Sequence, residues 1–155
     1  MTSIRVALVD LYVVRGAGLT LQFLVLRRAT GGRCPGSWEA VHGHIESAEP
    51  PAEAATREML EETGLSPARL YNLSRVESFY QHRIDEVALV PVFAAFVPAD
   101  AQVRVGPEHD SFEWLHPAEA RSRFAWPREQ RALDDIVTVL GGGDGGAVED
   151  VLRVC

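Results

Sequence analysis

The amino-acid sequence predicts an α+β domain in which helices cover a β-sheet. Segments rich in apolar and β-branched residues recur along the chain, and two segments, residues 51–63 and 127–140, have the composition of helices. A chain of 155 residues can bury one core but is short for two. Strands and helices mixed on so small a chain imply one sheet with helices packed against it.

The N-terminal part begins with a predicted β-hairpin. Residues 4–14 and 21–26 are apolar and β-branched, and a segment with two glycines separates them. Residues 27–36 contain three glycines, a proline and three arginines, a composition typical of a loop. Residues 37–42 are predicted to form a short strand after this loop.

Residues 51–63 carry the strongest helix signal. Pro50 and Pro51 suit the first turn, where a missing N–H costs nothing. The following residues are mostly Ala, Glu, Met and Leu, which favour helices. Gly64 fits the position just after the helix, where a left-handed conformation commonly ends it.

The C-terminal part predicts three further strands and a second helix. Residues 70–80 and 86–97 form two strands, and Pro91 indicates an edge position or a bulge in the second. A short strand follows at residues 111–115. The helix at residues 127–140 has apolar residues on one face, Leu133, Ile136, Val137 and Leu140.

Composition restricts the domain organisation and the class of protein. Residues 1–140 are predicted to form the domain, and residues 141–155 a Gly-rich flexible linker with a C-terminal tail. The net charge of −7 is unfavourable for a nucleic-acid binder, which displays a basic surface.

No apolar run approaches the roughly 18 residues of a membrane span. Only Cys34 and Cys155 are present and no secretion signal is visible, so we expect a reduced, cytoplasmic protein.

Three glutamates on the first predicted helix form a candidate metal site. On a helix, Glu58 and Glu62 lie one above the other, and Glu61 lies three residues from Glu58. Like charges at this spacing destabilise an isolated helix, and clustered carboxylates are ligands that Mg²⁺ and Mn²⁺ prefer. Such a run by itself is more often a solvated helix face, so the flanking residues decide between the two interpretations.

The flanking residues complete a motif. Its members are Gly43, Glu49, Arg57, Glu58, Met59, Glu61, Glu62, Gly64 and Leu65. Their spacing resembles the Nudix box without a gap, a pattern that should arise by chance about once per 10⁹ windows. The chain is therefore similar to Nudix hydrolases, a MutT-like family, over residues 4–140.

The resemblance implies a fold and a reaction. The fold is an α/β/α sandwich, a mixed sheet flanked by helices. The reaction is hydrolysis of a diphosphate linkage by metal-activated water, with Mg²⁺ or Mn²⁺ as cofactor. Glu58 and Glu62 are implied as the main metal ligands, and the Gly43 carbonyl as a further one.

The resemblance also implies roles for the other box residues. Glu61 is either a metal ligand or the catalytic residue that positions or deprotonates water. Glu49 and Arg57 are expected to pair and to hold the loop and the helix together.

The flanks of the box resemble the dihydroneopterin triphosphate diphosphatase branch of the family. Trp38 and Val41 precede the box glycine in the register of that branch. In the branch, a glutamate directly before a histidine is an additional metal ligand or catalytic carboxylate, which implies Glu108 before His109. Glu113 is the alternative fourth carboxylate, and a solvated surface role for both glutamates stays open.

Five residues are candidates for substrate binding, namely Arg28, Trp38, His42, Tyr80 and Trp126. Arg28 could contact phosphate because a guanidinium matches phosphate oxygens, and the tryptophans could stack on a pterin or purine ring. A surface ion pair and core packing are equally open interpretations. His42 lies beside the predicted substrate entrance. Tyr80 lies where dinucleoside polyphosphate hydrolases carry a tyrosine against the base.

The expected partner is a small-molecule nucleoside or pterin polyphosphate. One alternative is a hydrolase of dinucleoside polyphosphates or other nucleotide derivatives, and another is a non-catalytic nucleotide sensor. The presence of all three box glutamates favours catalysis over sensing. The acidic composition is unfavourable for an RNA-decapping enzyme. The sequence leaves a homodimer open.

Overall fold

A mixed β-sheet lies between two layers of helices in the computed structural model, which describes residues 1–155. The strands are β1 (Ser3–Val6), β2 (Leu8–Arg15), β3 (Gln22–Arg28), β4 (Trp38–Glu39), β5 (Val41–His44), β6 (Arg69–Gln81), β7 (Glu86–Phe96) and β8 (His109–Leu115). The helices are α1 (Pro51–Thr63), α2 (Pro117–Arg123), α3 (Pro127–Leu140) and α4 (Glu149–Leu152). The predicted α+β sandwich is confirmed.

The order of the strands explains why the sheet is mixed. The central path runs β1-β7-β2-β3-β4, with β5 paired to β2, β6 to β7 and β8 to β3. Strands β1 and β2 run parallel to β7, and the other pairs are antiparallel. The predicted hairpin is confirmed, because Val14 and Arg15 of β2 pair with Phe23 and Gln22 of β3.

The expected single strand at residues 4–14 consists of two strands that meet at Ala7. Both pair with β7, β1 before Pro91 and β2 after it. Because proline has no N–H to donate, the ladder on this side of β7 is interrupted at Pro91. On the other side of β7, Pro91 pairs with Val76, and the register shifts between Asn72 and Val76, so the irregularity lies on β6 next to Pro91. Strand β7 has partners on both sides, so the alternative of an edge position is wrong.

Helix α1 covers one face of the sheet and has the predicted bounds. It begins at Pro51, and Gly64 ends it with a left-handed φ of 73° while donating its N–H to the Leu60 carbonyl. Ala54, Ala55 and Met59 of α1 pack in one apolar cluster with side chains of β2, β3, β5 and β7. Burying these residues leaves the face with the glutamates directed towards the loops at the end of the sheet.

Helices α2 and α3 cover the opposite face. The buried residues of α3 are Glu129, Ala132, Leu133, Ile136 and Leu140. Val137, expected on the same face as Leu133, Ile136 and Leu140, lies at the margin of this stripe and is 40% exposed. Helix α2 was not predicted as a separate element. None of the helices is long and apolar enough to cross a membrane.

Residues after Leu140 contact the sheet, which differs from the expected flexible linker and tail. The Val154 N–H donates to the Leu70 carbonyl at 2.7 Å, and Leu152 is buried in the core beneath α3. The Tyr71 hydroxyl donates to Glu149 at 2.9 Å. The C-terminal segment therefore follows β6 and closes that end of the core.

We expect the C-terminal segment to contribute to folding stability. Leu152→Ala should lower the free energy of unfolding by about 2–4 kcal/mol, because it empties a buried site. Val151→Ala is the matched control, since Val151 is 75% exposed, and should change it by less than about 0.5 kcal/mol. Urea unfolding measures both values. Equal values for the two variants would show that the segment adds no core packing.

Candidate active site

Helix α1 presents three glutamates with very different exposure. The Glu61 side chain is 58% exposed, that of Glu58 is 13% exposed, and Glu62 is almost fully buried at 4%. Glu58 and Glu62 face β5, whereas Glu61 reaches solvent. The carboxylates on this helix face therefore range from buried to solvent-exposed.

Arg57 ties this helix to the loop before it. Its Nε and Nη2 donate to the two carboxylate oxygens of Glu49 at 2.7 and 2.9 Å, and Nη2 also donates to the His44 carbonyl at 2.9 Å. The hydrogen bonds that Glu49 accepts from Arg57 and from the Glu46 N–H lower the pKa of Glu49 to about 2. Arg57 Nη1 reaches Glu58 at 2.8 Å and Glu61 at 3.4 Å. The two residues expected to pair are therefore joined, and Arg57 also orients the carboxylates.

Gly43 allows Glu58 to lie directly on β5. A Cβ added at Gly43 would overlap the Glu58 carboxyl group. Any other residue would push the glutamate away from the strand. The box glycine therefore brings the backbone of β5 and the Glu58 side chain into contact.

Glu62 is a buried acid without a hydrogen-bonding partner for its Oε2 atom. Burial raises the pKa of Glu62 well above its ordinary value, and the negative charges of Glu39, Glu108 and Glu58 raise it further. An unpaired carboxylate is costly in such surroundings. The surroundings of Glu62 therefore favour either a proton or a cation.

The side chains around Glu62 fit a hard divalent cation by their chemistry. Carboxylate oxygens are the ligands of Mg²⁺ and Mn²⁺, and the unpartnered Oε2 of Glu62 is such a donor. No three His, Cys, Asp or Glu side chains are arranged as a metal site in the structure. Glu58 is paired with Arg57 instead, so a cation would compete with that guanidinium for the carboxylate.

Glu39 is a member of this cluster that was not among the residues predicted from the sequence. It is buried on β4, where Oε1 accepts a hydrogen bond from Arg28 Nη1 at 2.9 Å and lies 2.9 Å from His109 Nε2. Arg28 also donates Nε to the Arg33 carbonyl at 2.5 Å. Arg28, expected to contact phosphate, is thus engaged with a carboxylate. An acid within the apolar strand before the box was the signal available in the sequence.

The loop before β8 brings Glu108 to the cluster but not Glu113. The Gly106 N–H donates to the Glu62 carbonyl at 3.2 Å, which fixes this loop against the end of α1. Glu108 is exposed, and its charge raises the pKa of both Glu62 and Glu58. Glu113 lies on the other face of the sheet, where it pairs with Arg123 at 3.0 Å.

A second polar cluster lies between the sheet and α3 and contains two predicted substrate-binding residues. His42 Nδ1 lies 2.5 Å from Asp10 Oδ1, and Arg128 Nε donates to Asp10 Oδ2 at 2.8 Å. Burial would raise the pKa of Asp10, but His42 and Arg128 lower it below its ordinary value. The Trp126 ring meets Phe79 edge-on at 6.2 Å. We call these five residues the α3-side cluster.

Glu129 lies beneath the α3-side cluster. It accepts hydrogen bonds from the N–H groups of Ala40 at 2.7 Å and Trp126 at 3.2 Å, and so joins the residue between β4 and β5 to the start of α3. Burial raises the pKa of Glu129 to about 8, although the Ala40 hydrogen bond and Arg128 act against it. The carboxyl group is therefore protonated at neutral pH.

The structure does not bring Tyr80 or Trp38 into either cluster. Tyr80 lies near the turn between β6 and β7, where its hydroxyl donates to Asp85 at 2.9 Å. The Trp38 ring packs against the core beneath α2, with the Arg123 guanidinium 4.8 Å from its centre. Trp38 therefore contributes to core packing, which was the alternative to stacking on a substrate ring.

Comparison with known proteins identifies the domain. The family profile described as NUDIX domain matches residues 4–136. An octanoyltransferase from Myxococcus xanthus is 37% identical over 75% of this chain, which spans 32% of that protein. An isopentenyl-diphosphate Delta-isomerase from Corynebacterium diphtheriae is 33% identical over 62% of this chain, which spans 57% of it. The chain thus covers less than two thirds of these two relatives.

A third relative is covered more fully, and solved structures share the fold. The asymmetrical bis(5'-nucleosyl)-tetraphosphatase of Rattus norvegicus is 31% identical over 65% of this chain and 68% of its own length. A C. elegans Ap4A hydrolase superposes with a TM-score of 0.72 at 20% identity, covering 87% of this chain and 97% of that one. The E. coli dihydroneopterin triphosphate pyrophosphohydrolase gives a TM-score of 0.68 at 24% identity, covering 84% and 94%.

Glu129 should make folding stability depend on pH. Its pKa of about 8 exceeds the ordinary 4.5, so the folded chain holds a proton that the unfolded chain loses between these values. The stabilisation is complete below pH 4.5 and is lost as the pH rises towards 8. The wild-type protein should therefore lose on the order of 3 kcal/mol of unfolding free energy between pH 5 and pH 8 that Glu129→Gln does not lose. The unfolding free energy of the variant should rise by this amount relative to wild type over the same interval.

Chemical unfolding at the two pH values measures this gain. Glu119→Gln on α2 removes an exposed acid and should follow the wild-type profile. A constant difference between Glu129→Gln and wild type would contradict the assignment of a buried, protonated Glu129.

Proposed function

The chain belongs to the Nudix hydrolase family, and from this premise we propose that it hydrolyses a diphosphate linkage in a nucleoside or pterin triphosphate-type substrate with Mg²⁺ or Mn²⁺. The observation that carries the proposal is the buried Glu62 carboxylate, whose Oε2 has no partner among three neighbouring carboxylates. A purely structural helix face would not retain such a group, because an uncompensated buried acid is costly.

Glu58, Glu62 and the Gly43 carbonyl would hold the cation, with Glu108 at its exposed side. When bound, divalent cations lower the pKa of a water molecule and offset charge on the departing phosphate. Arg57 orients Glu58 by a hydrogen bond of 2.8 Å. Glu61 is exposed and held only by a 3.4 Å contact with Arg57, so it can position the attacking water or accept its proton.

The α3-side cluster would bind the heterocyclic ring of the substrate. Neighbouring residues of a strand face opposite sides of a sheet, so His42 of β5 points to this cluster while Gly43 contacts Glu58. A substrate with a ring and a polyphosphate could therefore reach both clusters at β5. The partly exposed Trp126 and the polar groups of Asp10 and Arg128 suit a pterin or a purine.

A second candidate substrate is a dinucleoside polyphosphate. The 31% identity with the rat tetraphosphatase, over 68% of its length, favours it. A non-catalytic nucleotide sensor is a weaker alternative, because Glu58, Glu61 and Glu62 are all present on one helix. These candidates share the bond that is cut and differ in the group bound beside it.

We expect Glu62→Gln to lower metal-dependent hydrolysis by about 10³-fold, because it removes a charged ligand. The variant should fold, and its Tm should not fall, since a buried charge is lost. Glu53→Gln, on an exposed position of the same helix, should keep wild-type turnover. Phosphate release at saturating Mg²⁺ measures each rate. Undiminished turnover by Glu62→Gln would refute its role.

A substrate panel would distinguish the candidates for the bound group. The panel comprises pterin triphosphate, nucleoside triphosphates, diadenosine tetraphosphate and ADP-ribose, compared by kcat/KM with Mg²⁺. The highest value for pterin or nucleoside triphosphates supports the leading proposal. A much higher value for the dinucleotide supports the second candidate. Tight binding of a panel member without turnover supports the sensor.

We expect Trp126→Leu to raise KM by about 10-fold or more with little change in kcat, because it removes a stacking surface from the ring. Phe112→Leu is the control, since Phe112 is an exposed aromatic on β8 outside the α3-side cluster. Steady-state kinetics with the best substrate of the panel gives both constants. An unchanged KM in a folded Trp126→Leu protein would place the ring elsewhere.

A further inference from the structure

We propose that Glu39 is a further carboxylate ligand of the cation site and that Arg28 and His109 are positioning residues that hold it there. This inference rests on the proposed function, because it concerns the same cation site. It adds a residue from outside the box, on β4, to the donors supplied by α1. It also gives Arg28 the role of holding the Glu39 carboxylate, whereas the sequence had suggested a phosphate contact.

Strand pairing brings the three residues to the face covered by α1. Glu39 lies opposite Leu26 of β3, whose side chain packs in the cluster beneath α1. Arg28 follows Leu26 by two residues and therefore shares its face. His109 of β8 lies opposite Arg28. Three strands thus direct one acid and two nitrogen donors towards the end of α1, where Glu62 is buried.

The contacts of Glu39 leave one of its oxygens free. Arg28 Nη1 and His109 Nε2 both lie 2.9 Å from Oε1. No side-chain or backbone group of the protein donates to Oε2. Glu62 Oε2 likewise has no partner. A carboxylate with one oxygen fixed and the other unbound is arranged as an oriented metal ligand would be.

The two carboxylates lie close enough for their charges to interact. After burial, the charge of Glu39 is the largest cause of the raised pKa of Glu62. Arg28 does not relieve Glu62, since its guanidinium is shared between Glu39 and the Arg33 carbonyl. A divalent cation held by the Glu39 and Glu62 carboxylates would offset the negative charge of both.

His109 has the features of a residue that orients a ligand. Its side chain is fully buried, and its Nε2 must carry the proton that it donates to the Glu39 carboxylate. Its Nδ1 is buried without a partner, so packing alone does not explain an imidazole at this position. A histidine that only filled space could be replaced by leucine without effect on Glu39.

Binding of Mn²⁺ alone to the full chain tests the proposal. The free Mn²⁺ signal in electron paramagnetic resonance gives the affinity without any turnover. Glu39→Gln should bind Mn²⁺ about 10-fold or more weakly, while Glu119→Gln, which removes an exposed acid, should match wild type. Glu39→Asp keeps the charge but shortens the side chain, so it should also weaken binding. Circular dichroism and Tm verify that each variant folds.

The positioning residues are tested by a pair of variants at one position. His109→Leu removes the donor to Glu39 and should weaken Mn²⁺ binding about 10-fold. His109→Gln retains an N–H that can reach Glu39 and should restore the affinity to within about threefold of wild type. Equal losses in the two variants would show that His109 acts only through packing.

The failures of the two proposals are distinguishable. Wild-type Mn²⁺ affinity in both Glu39 variants would overturn the role of Glu39, and loss of turnover in Glu62→Gln would still support the hydrolase. Mn²⁺ binding that depends on Glu39, with no turnover of any panel substrate, would support the role of Glu39 and overturn the hydrolase. Absence of Mn²⁺ binding by the wild-type protein would overturn the role of Glu39 directly.

Discussion

Burial of the Glu62 carboxylate with its Oε2 atom unpartnered is the constraint on which the arrangement around α1 depends. The helix needs its apolar residues against the sheet, and this packing carries Glu62 into the interior beside other acids. Arg57 neutralises Glu58 and Glu49 but does not reach Glu62. The folded chain therefore keeps a buried acid that favours a proton or a cation, and the Gly106 N–H fixes the loop before β8 beside it by donating to the Glu62 carbonyl.

The sheet separates the two halves of the proposed site, and β5 joins them. On the α1 side the groups are acidic and suited to a cation. On the α3 side, Asp10 is already balanced by His42 and Arg128, so that cluster has no need of a metal. Alternation along one short strand places His42 and Gly43 in different clusters although they are neighbours in sequence. The acidic α1 side would therefore bind the polyphosphate through a cation, and the balanced α3 side would bind the ring of the substrate.

Because relatives with different described activities share this fold, the function of the chain has to be inferred from its site. Proteins described as an octanoyltransferase, an isomerase and a tetraphosphatase all contain segments similar to this chain. A fold shared among such names does not identify a reaction. The intact carboxylates of α1, the hydrogen bonds of Arg57 and the buried acid Glu39 are features of this chain itself.

The sequence by itself determined the fold class, the bounds of α1 and α3 and the face shared by Glu58 and Glu62, because these follow from local spacing and helical periodicity. Only the tertiary structure decided which distant residues meet. Glu39 contacts His109, 70 residues away, and Asp10 contacts Arg128, 118 residues away, through strand pairing and layer packing. No sequence period encodes these contacts. They depend on the register of β3, β4 and β8 and on the position of α3, which are set only when the core is packed.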